Sequence, residues 1–171
     1  MKKPLITGSL FLLLGLIPAC ADSPLPPPSY ETVFSANKKY CISTDPDKKI
    51  SEVSIVDKSG NKSKFWSMPG YFRNLFLAND GEHLVIGYDG QNLLPLNYKS
   101  SLPMLTFVHK GKNIKTVLLK ELIPDSSKLE KTASHWHWGD YSGFDSSGNF
   151  QIETVDHRKL KYDPATGKIL N

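Results

Sequence analysis

The sequence contains little cysteine, which argues against a fold held together by disulfide bonds. Its 171 residues include two cysteines, Cys20 and Cys41, too few for a disulfide framework. Cys20 lies in a segment that we expect to be removed or lipid-modified, so Cys41 stands alone. Cys41 lies in a stretch that alternates like a strand, which favours a buried, inert thiol over a reactive one. A hydrophobic core must therefore hold the domain, and the chain is long enough to bury one.

The chain also lacks a strong excess of charge of either sign. It has 21 basic and 17 acidic residues, a formal net charge of +4. Lys2 and Lys3 belong to the N-terminal segment, and without them 19 basic residues stand against the 17 acidic ones. This balance argues against a nucleic-acid partner.

The motifs of several enzyme classes are missing as well. The sequence has no Gly-x-Ser-x-Gly elbow, no His-Glu-x-x-His motif, no phosphate or dinucleotide loop and no Cys-x-x-Cys pair. Acid pairs that meet only in the folded chain leave no such signature, so glycoside cleavage stays open. On balance these absences favour a protein that is not an enzyme.

The N-terminus has the pattern of a secretory signal peptide over residues 1–21. Two lysines precede an apolar run at residues 5–17, which is shorter than the roughly 20 residues of a membrane span. Cleavage after Ala21 leaves a soluble chain that begins at Asp22. Alternatively, Ile17-Pro18-Ala19-Cys20 resembles a bacterial lipoprotein box, and Cys20 becomes the lipid-modified first residue.

A proline-rich spacer follows at residues 22–29, with four prolines between Ser23 and Pro28. Such a composition favours a stiff, polyproline-like segment. We therefore expect an exported protein, periplasmic or extracellular, that contacts a membrane only if a lipid at Cys20 anchors it.

Three stretches of the remaining chain repeat one pattern. Each begins with a phenylalanine (Phe34, Phe76 or Phe144), runs through small polar residues and enters an alternating segment. Turn residues such as Gly81 and Gly148 supply the backbone freedom that a tight turn requires. A second strand–turn–strand signal follows each copy, which is typical of hairpins.

This pattern predicts an all-β domain over residues 30–171, built from antiparallel sheets. No long segment has a helical period. The best helix candidate is residues 124–132, where Asp125 or Ser126 could cap one or two turns. We expect at most that one short helix.

The repeats resemble the blades of secreted YVTN- and WD-like β-propellers. The matching stretches are residues 35–42 with 53–62, residues 78–86, and residues 163–168. The whole chain is also similar to a family of small secreted bacterial proteins, through residues 68–73, 79–90 and 135–139. The resemblance implies an incomplete propeller or a sandwich-like arrangement, and it implies no particular activity.

The spacing of the repeats departs from that of a closed propeller. Phe34 and Phe76 are 42 residues apart, but Phe76 and Phe144 are 68 apart, and only about half a blade follows Phe144. Closed rings have four or more blades. Either the sheets pack in an open, sandwich-like arrangement, or chains associate. We expect a monomer of two or three sheets, in which residues 30–34 could pair with the C-terminal hairpin and cover an edge.

The sharpest local feature is His135-Trp136-His137-Trp138. In a strand, His135 and His137 share a face and are able to supply two ligands to a metal such as zinc. A third ligand would come from Asp140, His83 or His157. The alternative is a strand that packs its tryptophans inward and leaves the two histidines on a wetter face.

The same region offers aromatic rings for ligand binding without a metal. Trp136, Trp138 and Tyr141 lie close together in sequence, and exposed aromatics beside polar groups suit stacking on sugar rings. Arg73 is a further candidate binding group, or an ordinary surface cation. The alternative for the aromatics is burial in the core, where such rings bury a large area. The composition of residues 88–92 predicts a turn. Its carboxylate and amides lack the ligand spacing of an EF-hand calcium loop.

Taken together, these features predict a secreted or cell-envelope β-repeat domain that acts as a binding or structural module. Its ligand would be a protein or a carbohydrate, and no cofactor is required. The alternative function is a metal-binding protein or a metal-dependent hydrolase that uses the His135 and His137 pair.

Overall fold

The structure, a computed structural model, describes residues 25–170, so the predicted signal peptide and Cys20 lie outside the described residues. The strands, in chain order, are β1 (Glu31–Phe34), β2 (Tyr40–Asp45), β3 (Ile50–Val56), β4 (Lys62–Pro69), β5 (Leu75–Leu77), β6 (His83–Gly87), β7 (Leu93–Pro95), β8 (Pro103–His109), β9 (Lys112–Leu118), β10 (Glu130–Lys131), β11 (His135–His137), β12 (Gly139–Phe144), β13 (Phe150–Thr154), β14 (Lys159–Asp163) and β15 (Lys168–Leu170).

These strands form three large antiparallel sheets and one small sheet. The first sheet has the order β1-β2-β3-β4, the second β5-β6-β8-β9 and the third β12-β13-β14-β15. The small sheet has the order β10-β11-β7. The predicted all-β class with blade-like antiparallel sheets is confirmed, and each large sheet has four strands.

Each sequence repeat corresponds to one large sheet. Phe34 ends β1, Phe76 lies within β5, and Phe144 ends β12. The repeat therefore starts inside the first strand of each sheet, not before it. The expectation that the third copy is half a blade is wrong, because β12 precedes Phe144 and supplies the missing strand.

The second sheet lies between the other two, and its central strands β6 and β8 contribute buried side chains on both faces. Leu84 and Val108 belong to a core cluster shared with Ile42, Val53 and Trp66 of the first sheet. Val85 and Phe107, the neighbouring positions in β6 and β8, belong to a second cluster. That cluster also contains residues of the third sheet, of the small sheet and its flanks, and of the segment after β9: Phe150, Ile152, Tyr162, Leu94, Trp138 and Leu119. Adjacent residues of one strand point to opposite faces, which is how β6 contributes to both clusters.

The outer faces of the first and third sheets are polar. On the first sheet Ser43 pairs with Glu52, and the Lys64 ammonium lies 3.0 Å from the Glu52 carboxylate. On the third sheet Gln151 pairs with Lys161. Because both end faces carry polar side chains, water satisfies them without a further sheet packed on top.

The N-terminal strand does not pair as the sequence suggests. Residues 31–34 pair with β2, Val33 opposite Ile42, and not with the C-terminal hairpin. The turn between the two strands closes locally, through hydrogen bonds between Ser35 and Tyr40 and a left-handed backbone at Lys38. A local hairpin closes a much shorter loop than a return from the far end of the chain, so its entropic cost is lower.

Helical structure is short. Helix α1 (Leu119–Leu122) follows β9 directly and was not predicted; it buries Leu119 and Leu122. A single 3-10 turn (Ser126–Lys128) occupies the centre of the predicted helical stretch, and the Asp125 carboxylate caps it by accepting the Ser127 N–H at 3.0 Å. Among residues 25–170, no helix combines the length and the apolar character that crossing a membrane requires.

Candidate functional site

A cleft of about 480 Å³ opens beside His135. We call it the His135 cleft. The loop of residues 88–92 forms one wall, and Pro95 and His135, which lie opposite each other on β7 and β11, form a second. Leu25 of the proline-rich segment also lines it. The volume lies within the range of small-molecule sites.

The loop of residues 88–92 is held from beneath by two aromatic side chains. The Trp138 indole N–H donates to the Gln91 carbonyl at 2.8 Å, and the Tyr88 N–H donates to the Tyr141 hydroxyl at 2.7 Å. Gln91 itself has a left-handed backbone, with φ 59°. The Asn74 side-chain amide also donates to the Tyr88 carbonyl. These contacts hold the loop in one conformation.

Two of the predicted ligand-binding aromatics therefore support the cleft from the core. Trp138 is fully buried and so presents no face to a ligand. Tyr141 is half-buried, packs against Phe76 at 5.2 Å between ring centroids, and its burial raises the pKa of its hydroxyl. Trp136, opposite Leu94 on β7, packs half-buried against the same core cluster. The predicted ligand-binding role of these rings stays a prediction.

The polar groups of the cleft come from its loop and from β11. Burial, and then the neighbouring Asp89 carboxylate, raise the pKa of Tyr88, so its phenol stays protonated at neutral pH. Asp89 is largely exposed, and the Asn92 side-chain amide donates to Asp140 at 3.1 Å. Beside the imidazole of His135, these residues offer donors and acceptors along one rim. The sequence identified residues 88–92 as a turn but contains no signal that the turn faces His135.

Arg73 lies next to the cleft, and its guanidinium contacts other residues of the chain. Its side chain is only 14% exposed, and its Nε lies 3.4 Å from the Asp89 carboxylate. Its Nη1 donates to the Pro26 carbonyl at 2.6 Å. The guanidinium also lies 5.8 Å from the centre of the Tyr71 ring. Arg73 thus joins three parts of the chain, and its predicted role in ligand binding stays a prediction.

His135 and His137 line different clefts, although they share one face of β11. His137 lines a separate cleft of about 230 Å³. There its Nε2 lies 3.4 Å from Asp140 and its Nδ1 lies 3.9 Å from Glu130. The side chain of His157, a predicted third ligand, also lines this second cleft.

The other predicted third ligand, His83, lies elsewhere. It pairs with His109 across β6 and β8, the two rings stack at 4.8 Å, and its Nδ1 lies 2.6 Å from Asp80. Within residues 25–170, no three His, Cys, Asp or Glu side chains lie close enough together to hold a metal ion. The predicted zinc site at His135 and His137 therefore lacks an assembled third donor, and it stays a prediction that metal analysis would test.

Comparisons with known proteins add one structural likeness. No family model and no curated protein matches the chain. The periplasmic gluconolactonase of Pseudomonas aeruginosa is similar in structure, with a TM-score of 0.41 and 13% sequence identity. The match covers 82% of this chain and 37% of that one, so the chain spans little more than a third of the length of that protein.

Proposed function

We propose that this chain is an exported, non-enzymatic binding module whose His135 cleft binds a carbohydrate of the cell envelope. The observation that carries the proposal is the composition of that cleft: an aromatic ring, a carboxylate, side-chain amides and an imidazole converge beside apolar walls in about 480 Å³.

A sugar matches this combination of groups. Its ring presents apolar C–H faces, which suit Tyr88, Leu93 and Pro95, and its hydroxyls both donate and accept hydrogen bonds. Asp89 accepts, the protonated Tyr88 phenol donates, and Gln91 carries an amide able to do both. Ligand sites commonly join mostly apolar walls to a few placed polar groups in this way.

The cleft is better suited to binding than to glycoside cleavage. Glycosidases of the common type use two carboxyl groups on opposite sides of the scissile bond. Among the described residues that line the His135 cleft, Asp89 supplies the one carboxyl group, and Arg73 pairs with it. The firm anchoring of the loop by Trp138 and Tyr141 further lowers the entropic cost of ordering a binding site.

We further propose that the module acts as a monomer. The polar outer faces of the first and third sheets support this, because a blade-to-blade contact between copies would bury Glu52, Lys64 and Lys161. Removing such charges from water is costly unless each finds a partner.

The test is a titration of the ¹⁵N-labelled chain, started at Asp22 so that every described element is kept, with a panel of hexoses, N-acetylhexosamines and their disaccharides. Binding should shift the Gly90 amide and the Trp138 indole N–H signals saturably. Asp89→Ala and His135→Ala should weaken binding at least tenfold, and His157→Ala, in the other cleft, should leave it unchanged.

Absence of shifts across the panel at millimolar concentrations would refute the carbohydrate proposal, and chemical conversion of a bound sugar would refute the non-enzymatic one.

A further inference from the structure

The proline-rich segment is attached to the domain beside the His135 cleft. The Pro26 carbonyl accepts from Arg73 Nη1 at 2.6 Å, and the Ser29 N–H donates to the Tyr71 hydroxyl at 3.3 Å. Between these two contacts lie Pro27 and Pro28. Leu25, which precedes them, reaches the lining of the cleft.

The chemistry of the segment explains why it attaches through these atoms. Prolines have no backbone N–H, so residues 26–28 offer only carbonyl oxygens, and an extended proline-rich chain leaves these unpaired. Ser29 carries the first backbone N–H after Leu25. Arg73 and Tyr71 therefore engage one carbonyl and the one N–H that the segment presents between residues 26 and 29.

The attachment is weak enough to be reversible. Residues 25–30 are exposed along their whole length, and the Leu25 side chain keeps 43% of its surface in contact with water. Little apolar area is buried, so the segment is held mainly by its two hydrogen bonds, each of modest net strength in water. Such a segment detaches without unfolding any sheet.

Arg73 links the segment to the cleft. The same guanidinium that holds the Pro26 carbonyl lies 3.4 Å from the carboxylate of Asp89, a residue of the cleft loop. A ligand that hydrogen-bonds to Asp89 therefore competes for the partner of Arg73 and changes how Arg73 holds Pro26. Leu25 forms part of the cleft lining, so detachment of the segment would remove that part of the wall.

We propose that residues 25–29 form a strap that closes one side of the His135 cleft. The hydrogen bond from Arg73 to Pro26 holds the strap in place, and the strap detaches to open the cleft. The docking of the strap does not require any ligand. Only its consequence for sugar entry rests on the proposed function.

The Ser29 amide is a specific reporter of the strap, because residues 26–28 contribute no amide signal. In the ¹⁵N-labelled chain started at Asp22, we expect Ser29 to exchange its amide proton at least threefold more slowly than in Tyr71→Phe, which removes only the acceptor hydroxyl. Arg73→Gln should produce the same acceleration and should abolish the nuclear Overhauser contacts of the Leu25 methyl groups with the cleft. Lys64→Gln, on the outer face of the first sheet, is the control and should change neither readout.

A second variant tests opening directly and keeps Arg73 and Tyr71 intact. Replacing Pro26, Pro27 and Pro28 with glycine should loosen the strap and shift the Gly90 amide and Trp138 indole signals. A free peptide with the sequence of residues 23–29 should then reverse those shifts in this variant, and it should not bind the wild-type chain.

The outcomes separate the strap from the sugar proposal. Equal Ser29 exchange in wild type, Tyr71→Phe and Arg73→Gln, or unchanged cleft signals in the glycine variant, would overturn the strap. If the strap reporters respond as expected while no saccharide binds to any variant, the strap stands and the carbohydrate proposal fails. If saccharides bind, tighter binding to Arg73→Gln than to wild type supports gating, and equal affinity overturns it.

Discussion

Asn37 and Asn79 occupy the same position in two successive repeats and bind each other directly. The Asn37 backbone N–H donates to Asn79 Oδ1, and the Asn37 side-chain amide donates to the Asn79 carbonyl, both at 2.8 Å. The first turn of the first sheet is thereby joined to the first turn of the second. In the third repeat the equivalent position is Ser147, whose N–H instead donates to Asp145 within its own turn.

Removing the Asn37 side chain should destabilise the domain more than removing that of Asn79. Asn37 Oδ1 also accepts from Ser35 Oγ and from the Lys39 N–H, so Asn37→Ala loses several bonds. Asn79→Ala keeps its carbonyl and loses one acceptor. We expect a loss of about 1–2 kcal/mol for Asn37→Ala and about 1 kcal/mol for Asn79→Ala in the free energy of unfolding, measured by urea denaturation.

Asn113→Ala is the control for that measurement, because the Asn113 side-chain amide donates to the hydroxyl of Thr116, a near neighbour in an exposed part of the same strand. It should change stability little. A cost for Asn37→Ala no greater than that for Asn113→Ala would show that the bond between the two repeats contributes nothing.

Gly139 should be irreplaceable, whereas Gly148 should accept alanine at a moderate cost. Both have positive φ, 147° and 83°. A Cβ on Gly139 would collide with the Glu153 carbonyl on the neighbouring strand, but a Cβ on Gly148 meets nothing. We expect Gly139→Ala to lose more than about 3 kcal/mol of stability, since backbone strain and a steric clash add. Gly148→Ala should lose about 1 kcal/mol from the left-handed backbone alone.

Urea denaturation of the two variants measures this difference. If Gly139→Ala does not fold, its destabilisation will be measured instead as a lower fraction of soluble protein. Similar losses for the two substitutions would mean that β12 moves away from β13 at little cost, contrary to the tight register of Gly139 opposite Thr154.

The first strand of the third sheet shows why part of the fold escaped sequence reasoning. The repeats can be recognised in the sequence because a turn follows Phe34, Phe76 and Phe144, and the residues that form a turn are adjacent in the chain. Strand β12 has the sequence Gly-Asp-Tyr-Ser-Gly-Phe. Its two glycines and the bulge after Tyr141 break the alternation by which a strand is recognised.

The candidate site escaped prediction for a different reason. The alternation of His135 and His137 with Trp136 correctly indicated one shared face. Which cleft each imidazole enters depends on the partners of β11, which are β7 and β10. The pairing with β10 is a local hairpin, but the pairing with β7 joins segments distant in sequence, and nothing in the local pattern of residues 135–138 specifies it.

Stability in acid should depend on Asp145. The backbone N–H of Asn149, followed by the Lys161 ammonium at 3.0 Å, lowers the pKa of the Asp145 carboxyl below its usual value of 3.8. A carboxyl whose pKa is lower in the folded state contributes stability above its unfolded pKa, and loses it as the pH falls through its folded pKa. Asp145→Asn should therefore lower the urea midpoint at pH 7 and lower it less at pH 2.

The charge-matched control is Asp47→Asn, in the exposed turn between β2 and β3. Urea midpoints of wild type and both variants, measured at pH 7 and pH 2, make the comparison. If Asp145→Asn lowers the midpoint equally at both pH values, the contribution of Asp145 is not its charge, and the proposed cause is wrong.

The final prediction concerns the support beneath the cleft. Trp138→Phe removes the indole N–H that donates to Gln91 and leaves a smaller ring in a fully buried position. We expect a loss of about 2 kcal/mol, of which about half is the hydrogen bond and the rest packing. Loosening of the loop should also speed exchange of the Leu93 amide, which donates to Gly90 at 3.2 Å.

Trp136→Phe is the matched control, because Trp136 comes from the neighbouring strand and is only half-buried against the same core. It should cost less stability and leave the Leu93 exchange rate unchanged, because Trp136 pairs with Lys131 and Leu94 and packs against the core cluster, whereas the hydrogen bond to Gln91 comes from Trp138. Equal effects of the two substitutions on Leu93 would mean that the small sheet as a whole, and not the Trp138 hydrogen bond, holds the loop in place.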